Sequence, residues 1–334
     1  MRYQRLGRSG MAVSKICLGT ANFGIGKSSG AGDWGVVTEK DAYAIMDYAL
    51  DQGIQFFDTA NVYGGIEHRG LTESILGRWF QQGGNRRERV VLATKVGRVF
   101  ERSILDGPNN VEGLSLYKIR RHVEASLSRL QTDHVELIQM HKADPQTGWD
   151  EIWEAFEGLV RDGKVDYVGS SNHDAWQIMK AQECARKRGY MGLVSEQHLY
   201  TPMSRMAENE LIPMAKDQGI GITIFSPLFR GFLGVDAQNP TAREMSTECR
   251  RLFERWRDRS VRFSALCREL GQSEACVTLA WELACPQVTS VIVAPTCIRD
   301  LKELLPAADL VLDESTMKAM DEIFPPMVEP SPYV

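Results

Sequence analysis

The chain has 334 residues, 43% of them hydrophobic and 25% charged, a balance that predicts a folded, soluble protein of one large domain or two ordinary ones. A formal net charge of −5 offers no basic footprint for nucleic acid. No run approaches the roughly eighteen apolar residues of a membrane span, and the opening Met1-Arg2-Tyr3-Gln4-Arg5-Leu6-Gly7 lacks the apolar core of a signal peptide.

Residues 2–15 come first, with two short β-like runs around the turn Gly7-Arg8-Ser9-Gly10, which predicts a hairpin able to plug one end of a barrel. Apolar or β-branched runs follow near 16–20, 54–58, 90–95, 135–140, 165–170, 192–197, 220–225 and 289–293. Amphipathic stretches lie between them at 39–52, 72–82, 115–130, 150–162, 174–188, 206–218 and 260–284, the last broken near Gly271, and another follows at 298–305. Thr38-Glu39-Lys40-Asp41 has the form of a capped helix start. Gly53 and Gly219 each close a helical pattern ahead of a strand. Eight β-runs alternating with helices predict an α/β fold with a parallel sheet. In a chain of this length they suit one closed (β/α)8 TIM barrel over residues 1–334 better than an open sheet. The absence of Gly-x-Gly-x-x-Gly at the first helix counts against a Rossmann domain. Residues 226–259, rich in Gly, Arg and Glu, predict a long loop covering a ligand on the C-terminal face. The proline-rich 325–334 predicts an extended tail. The seven scattered cysteines show no metal-ligand spacing and fit free thiols in a reducing cytoplasm, so no metal is expected.

Four polar residues stand at the ends of strand-like runs: Asp58 and Tyr63 after Gln55-Phe56-Phe57, Lys95 after Val90–Thr94, and His141 after Val135–Met140. A parallel barrel gathers such ends onto one face. Carbonyl reduction needs a proton donor beside a hydride source. A tyrosine can serve if a lysine ammonium draws its pKa down from about 10. A carboxylate fixes the lysine, and a histidine orients the carbonyl oxygen. Singly, each residue has a plainer role: Asp58 as a helix cap, Tyr63 as a loop aromatic, Lys95 as a strand end or Schiff-base lysine, His141 as a satisfied core histidine.

At these residues the chain resembles the aldo-keto reductase superfamily. The resemblance is carried by Leu6–Ser14, by Gly53–Ala60 with Val62-Tyr63-Gly64, Glu73 and Leu76-Gly77, by Leu92–Gly97, and by Gly163-Lys164-Val165 leading to Val168–Asn172. It implies a nicotinamide-dependent oxidoreductase with Tyr63 as proton donor, Lys95 and Asp58 tuning it, and His141 orienting the carbonyl. It further implies that Thr20 and Asp58 border the cofactor and that Ser171, Asn172 and Gln197 hold the nicotinamide carboxamide. Phe225 would stack on the ring, and Ser226, Leu228 and Gly231 would cradle the pyrophosphate. Glu303 fits an adenine contact. Relatives often carry arginine near Thr296, and some near Asp300, to grip the 2′-phosphate of NADP; Arg299 is the one obvious substitute here, and Leu304 stands where asparagine is common. NADP(H) is the family default, and the carboxyl at 300 makes NAD(H) a serious competitor.

The substrate expected is a small-molecule carbonyl. Trp149–Phe156, Gly192–Gln197 and Arg78-Trp79-Phe80 resemble a bacterial branch that includes sugar reductases of deoxysugar pathways, which implies a nucleotide-linked keto sugar, a free aldose or a simple aldehyde or ketone. Loop residues Phe23, Trp34, Met203, Phe229 and Arg230, with Tyr63 and His141, are the expected substrate wall. Two competing readings remain at this level: a regulatory or binding protein on the same fold with little turnover, and a Schiff-base lyase using Lys95.

Overall fold

The computed structural model of the chain describes residues 1–26, 35–65, 67–98, 113–237 and 247–326. Strands β1 (Tyr3–Arg5) and β2 (Ala12–Ser14) form an antiparallel hairpin. Eight parallel strands close into a barrel: β3 (Ile16–Gly19), β4 (Phe56–Asp58), β5 (Val91–Val96), β6 (Val135–Met140), β7 (Val165–Ser171), β8 (Leu193–His198), β9 (Gly221–Ile224) and β10 (Val288–Val293). They follow chain order around the ring, and β10 pairs with β3 to seal it. The architecture is a (β/α)8 TIM barrel, as the alternation of runs predicts. The strands are apolar on both faces because one face meets the barrel interior and the other meets the helices.

The helices are α1 (Glu39–Asp51), α2 (Leu71–Phe80), α3 (Leu116–Leu130), α4 (Trp149–Arg161), α5 (Ala175–Lys187), α6 (Leu211–Gln218), α7 (Thr247–Arg255), α8 (Arg257–Glu269), α9 (Glu274–Ala284), α10 (Ile298–Leu304) and α11 (Glu314–Ile323). Thr38 caps α1 by accepting from the Asp41 amide. In α4 the buried residues Ile152, Trp153, Ala155, Phe156 and Leu159 recur at helical spacing, so one stripe packs on the sheet while the acidic first turn stays outside.

Two cores result. The larger lies between helices and sheet. The smaller fills the barrel interior, where Leu6 and Val13 of the hairpin meet Cys17, Phe56, Ala93, Leu137 and Val194. Gly7 makes this plug possible. Its φ is +56°, and a Cβ there would stand 2.3 Å from the Val194 oxygen and 2.6 Å from the Gly221 nitrogen, so no residue with a side chain fits. The N-terminal mouth is therefore stoppered, and polar chemistry is left to the C-terminal face.

Some expectations change. Residues 226–259 are not loop throughout: a short 3-10 turn occupies Phe232–Gly234, α7 fills Thr247–Arg255 and α8 begins at Arg257. Cys249 and Phe253 are buried, which gives α7 an apolar stripe despite its charge. The expected helix at 206–218 divides into a turn at Met206–Glu208 and α6. Helix α11 had no counterpart in the expectations, although Asp313 caps it and Met320 and Ile323 are buried. Pro325 and Pro326 lie outside regular structure, and 327–334 fall beyond the described residues.

Candidate active site

Strand register brings the four expected residues together. Asp58 pairs with Ala93 across β4 and β5, and Lys95 pairs with Gln139 across β5 and β6. Residues two apart on a strand share a face, so Ala93 and Lys95 both point into the barrel, Lys95 one layer nearer the C-terminal mouth. The Lys95 ammonium donates to Asp58 Oδ2 at 2.5 Å, the Thr59 carbonyl at 2.9 Å and Tyr63 Oη at 3.1 Å. It also lies 4.8 Å from the centre of the Tyr63 ring. The other Asp58 oxygen accepts from Gln139 Nε2 at 3.0 Å and Gln197 Nε2 at 2.8 Å. Tyr63 and His141 meet edge to face, ring centres 5.9 Å apart. All four side chains are buried. An ion pair with this many satisfied partners can persist out of water.

The electrostatics differ in one respect from the sequence expectation. Burial pushes the Tyr63 phenol above its ordinary 10.0, and the pull of Lys95 does not overcome it. Tyr63 therefore waits as a phenol with its proton in hand. Burial opposes the Lys95 charge too, but Asp58 and Tyr63 more than offset it and hold the ammonium above its ordinary 10.5. His141 is held well below 6.5, by burial first and then by Lys95. The site thus pairs a neutral acid with a neutral imidazole.

A pH profile follows. Turnover in the reducing direction is expected to stay level from pH 6.5 to pH 10.0, because His141 titrates below this window and Tyr63 above it. The stability sign is set by His141, whose folded pKa is depressed. The unfolded chain binds the proton first, so stability is lost as pH falls below 6.5. Steady-state rates and melting temperatures across pH check both, and an acid limb in kcat at the ordinary histidine value contradicts the assignment.

The residues expected at a cofactor lie along the same rim. Thr20 is buried and bonds the Asp58 carbonyl through both its amide and its hydroxyl, each at 3.0 Å. Ser171 and Gln197 are buried at the ends of adjacent strands and are register partners. Asn172 adopts a left-handed φ of 59° and donates through Nδ2 to the His141 carbonyl at 3.1 Å and Ser171 Oγ at 2.9 Å. Gln197 Nε2 is committed to Asp58 and to Gln139 Oε1, which leaves its carbonyl oxygen as the atom for a ligand amide. Phe225 packs half-buried against both cores. After β9, Ser226, Phe229, Arg230 and Gly231 have φ of 53°, 46°, 59° and 87°. Such clustered left-handed backbone is costly and marks ligand sites, and turns of this kind aim amide groups at anions. A Cβ on Gly231 would meet nothing within 4 Å, so its backbone faces open space. These features fit a dinucleotide with its pyrophosphate over 226–231.

Farther out, Thr296 donates to Asp300 Oδ2 from its amide at 3.0 Å and its hydroxyl at 2.7 Å. Glu303 lies half-buried on α10. Of the expected substrate wall, Phe23, Met203 and Phe229 are buried in the main core, Arg230 is half-buried, and Trp34 lies outside the described residues. Gln139 and Thr59 were not anticipated. The signal for Gln139 was a lone amide inside the apolar run Leu137-Ile138-Gln139-Met140. Among the described residues no His, Cys, Asp and Glu group could hold a metal, and no helix is long and apolar enough to cross a membrane.

The family model described as the aldo/keto reductase family matches residues 15–324. The chain belongs to this family. An oxidoreductase of Bacillus subtilis, YrpG, is 52% identical over 97% of this chain and 96% of its own length. The versiconal hemiacetal acetate reductase of Aspergillus parasiticus is 30% identical over 98% of both chains. Norsolorinic acid reductase A of the same species is 29% identical over 95% of this chain and 79% of its own. The chain is accordingly an NAD(P)-dependent oxidoreductase that reduces carbonyl substrates. Its family uses a nicotinamide cofactor, typically NADP(H).

Proposed function

We propose that this enzyme reduces a small aldehyde or ketone, with Tyr63 giving the proton and His141 aligning the carbonyl oxygen. The observation that carries this is the buried chain Asp58–Lys95–Tyr63 set against a neutral His141. Hydride chemistry is supplied by the nicotinamide when bound. As charge grows on the carbonyl oxygen, Tyr63 Oη passes its proton to it, and the Lys95 ammonium stabilises the phenolate left behind. Asp58, braced by Gln139 and Gln197, keeps Lys95 charged and in place. A Lys95 that is charged and bonded three ways is a poor Schiff-base nucleophile, so borohydride trapping is expected to leave Lys95 unmodified.

The segments that resemble the deoxysugar branch are largely packing residues. Trp79, Phe80, Trp153, Ala155 and Phe156 are all buried in the main core. They speak for shared scaffold rather than pocket shape, so free and nucleotide-linked sugars stand as one arm of a carbonyl panel beside simple and aromatic aldehydes. Turnover on any arm supports the enzyme reading. Tight dinucleotide binding with no turnover on any arm supports the regulatory one.

For the cofactor, we propose that Asp300 tilts preference toward NADH. Its carboxyl sits on the first turn of α10 beside Thr296, where a ribose hydroxyl finds an acceptor and a 2′-phosphate finds repulsion. Asp300→Asn is expected to tighten NADPH binding about fivefold relative to NADH, the effect of removing about 1 kcal/mol of like-charge repulsion. Fluorescence titration of both dinucleotides measures it, and an unchanged ratio removes Asp300 from the selection.

A further inference from the structure

We infer that Glu196 is a positioning residue for nicotinamide binding, acting from behind the sheet on the turn that carries Ser171 and Asn172. This rests on the reading of that turn as the carboxamide subsite. Alternate residues of a strand face opposite sides. On β8, Gln197 points into the barrel toward Asp58, and Glu196 points outward into the helical layer. Glu196 is a carboxyl group with no exposed surface, in a position where an unpartnered carboxyl would be strongly disfavoured.

Both its oxygens are engaged, and two of these three contacts fall on the same turn. Oε2 accepts from Ser170 Oγ. Oε1 accepts from the His173 amide at 3.0 Å and faces His198 Nδ1 at 3.2 Å. Ser170 and His173 are the residues immediately before and after the pair Ser171-Asn172. Within the plane of the sheet, β8 also holds the same pair, because the Asn172 amide donates to the Gln197 main-chain carbonyl at 3.2 Å. Two neighbouring residues of one strand therefore hold the turn, Glu196 through its side chain from the helical layer and Gln197 through its backbone.

The grip has work to do at Asn172. Its φ of 59° is a conformation that a non-glycine residue keeps only when its surroundings over-determine it. That conformation is what lets Asn172 Nδ2 reach the His141 carbonyl and Ser171 Oγ at once. Without Glu196, the His173 amide and Ser170 hydroxyl lose their acceptor, and the turn can relax toward an ordinary φ. The carboxamide subsite and the His141 backbone would then shift together.

The test is fluorescence titration with reduced dinucleotide and, separately, with ADP-ribose, which lacks the nicotinamide. Glu196→Ala is expected to weaken dinucleotide binding about tenfold, the scale of one stranded buried donor, and to leave ADP-ribose affinity unchanged. Glu196→Gln is expected to recover most of the loss, since its carbonyl can accept from His173 and its amide can donate to Ser170 Oγ. Ser170→Ala, which removes one bond from the other side, gives a smaller loss of the same kind and carries the test if Glu196→Ala does not fold. Equal losses for dinucleotide and ADP-ribose, or a Glu196→Ala protein that binds dinucleotide as the parent does, overturn the proposal. A parent protein that binds neither dinucleotide overturns the functional reading as well.

Discussion

Tyr63→Phe is expected to lower kcat for carbonyl reduction by about 10²–10⁴-fold, the usual contribution of a positioned general acid. Dinucleotide affinity should stay within about twofold, because the ring and its edge contact with His141 remain and only the hydroxyl is lost. The size follows from the site's protonation. Burial keeps Tyr63 a phenol and His141 a neutral imidazole, so no second acid of comparable strength faces the substrate. Lys95 is charged, but its donors point to Asp58, Thr59 and Tyr63. Stopped-flow single turnovers separate the chemical step from product release. A Tyr63→Phe enzyme with full single-turnover rate would falsify the assignment of Tyr63 as proton donor.

The second large effect is on stability. Asp58→Leu leaves a buried ammonium without its counter-charge and strands the Gln139 and Gln197 amides. A loss of about 3–5 kcal/mol is expected, as when one partner of a buried pair is removed. Lys95→Met, the converse, should lose a similar amount. The double substitution replaces the pair with apolar groups of similar size, and such exchanges are often neutral or stabilising. It should therefore stand well above either single variant in denaturant midpoint while remaining inactive. Additive losses in the double variant would show that the two residues do not act as a pair.

The eight strands were legible because each is a short apolar run bounded by turn residues, whereas their register came only with the closed ring itself. The tetrad was legible for the same reason: polar residues that end apolar runs have one face on which to gather. Helix α7 was not, since only Cys249, Leu252 and Phe253 break a highly charged stretch. Glu196 was read only as part of a motif, because its partners Ser170, His173 and His198 become neighbours through strand pairing and not through spacing. The Tyr63 shift was misjudged in direction. Its sign depends on how deeply the phenol is buried against how near the ammonium lies, and neither is written in residue type.

The plug at the base of the barrel has a consequence for how the chain assembles. Gly7 docks against backbone at Val194, Gly219 and Gly221, and Arg2 Nε bonds the Ala308 carbonyl 306 residues away. The hairpin is made before the barrel strands, yet its seat does not exist until β8, β9 and the region beyond β10 have been added. Contacts of such long sequence separation form slowly. Leu6 and Val13 are therefore apolar surface in waiting, exposed through most of translation, and the joining of β3 to β10 is the step at which the nascent chain stops being a target for aggregation and chaperone capture.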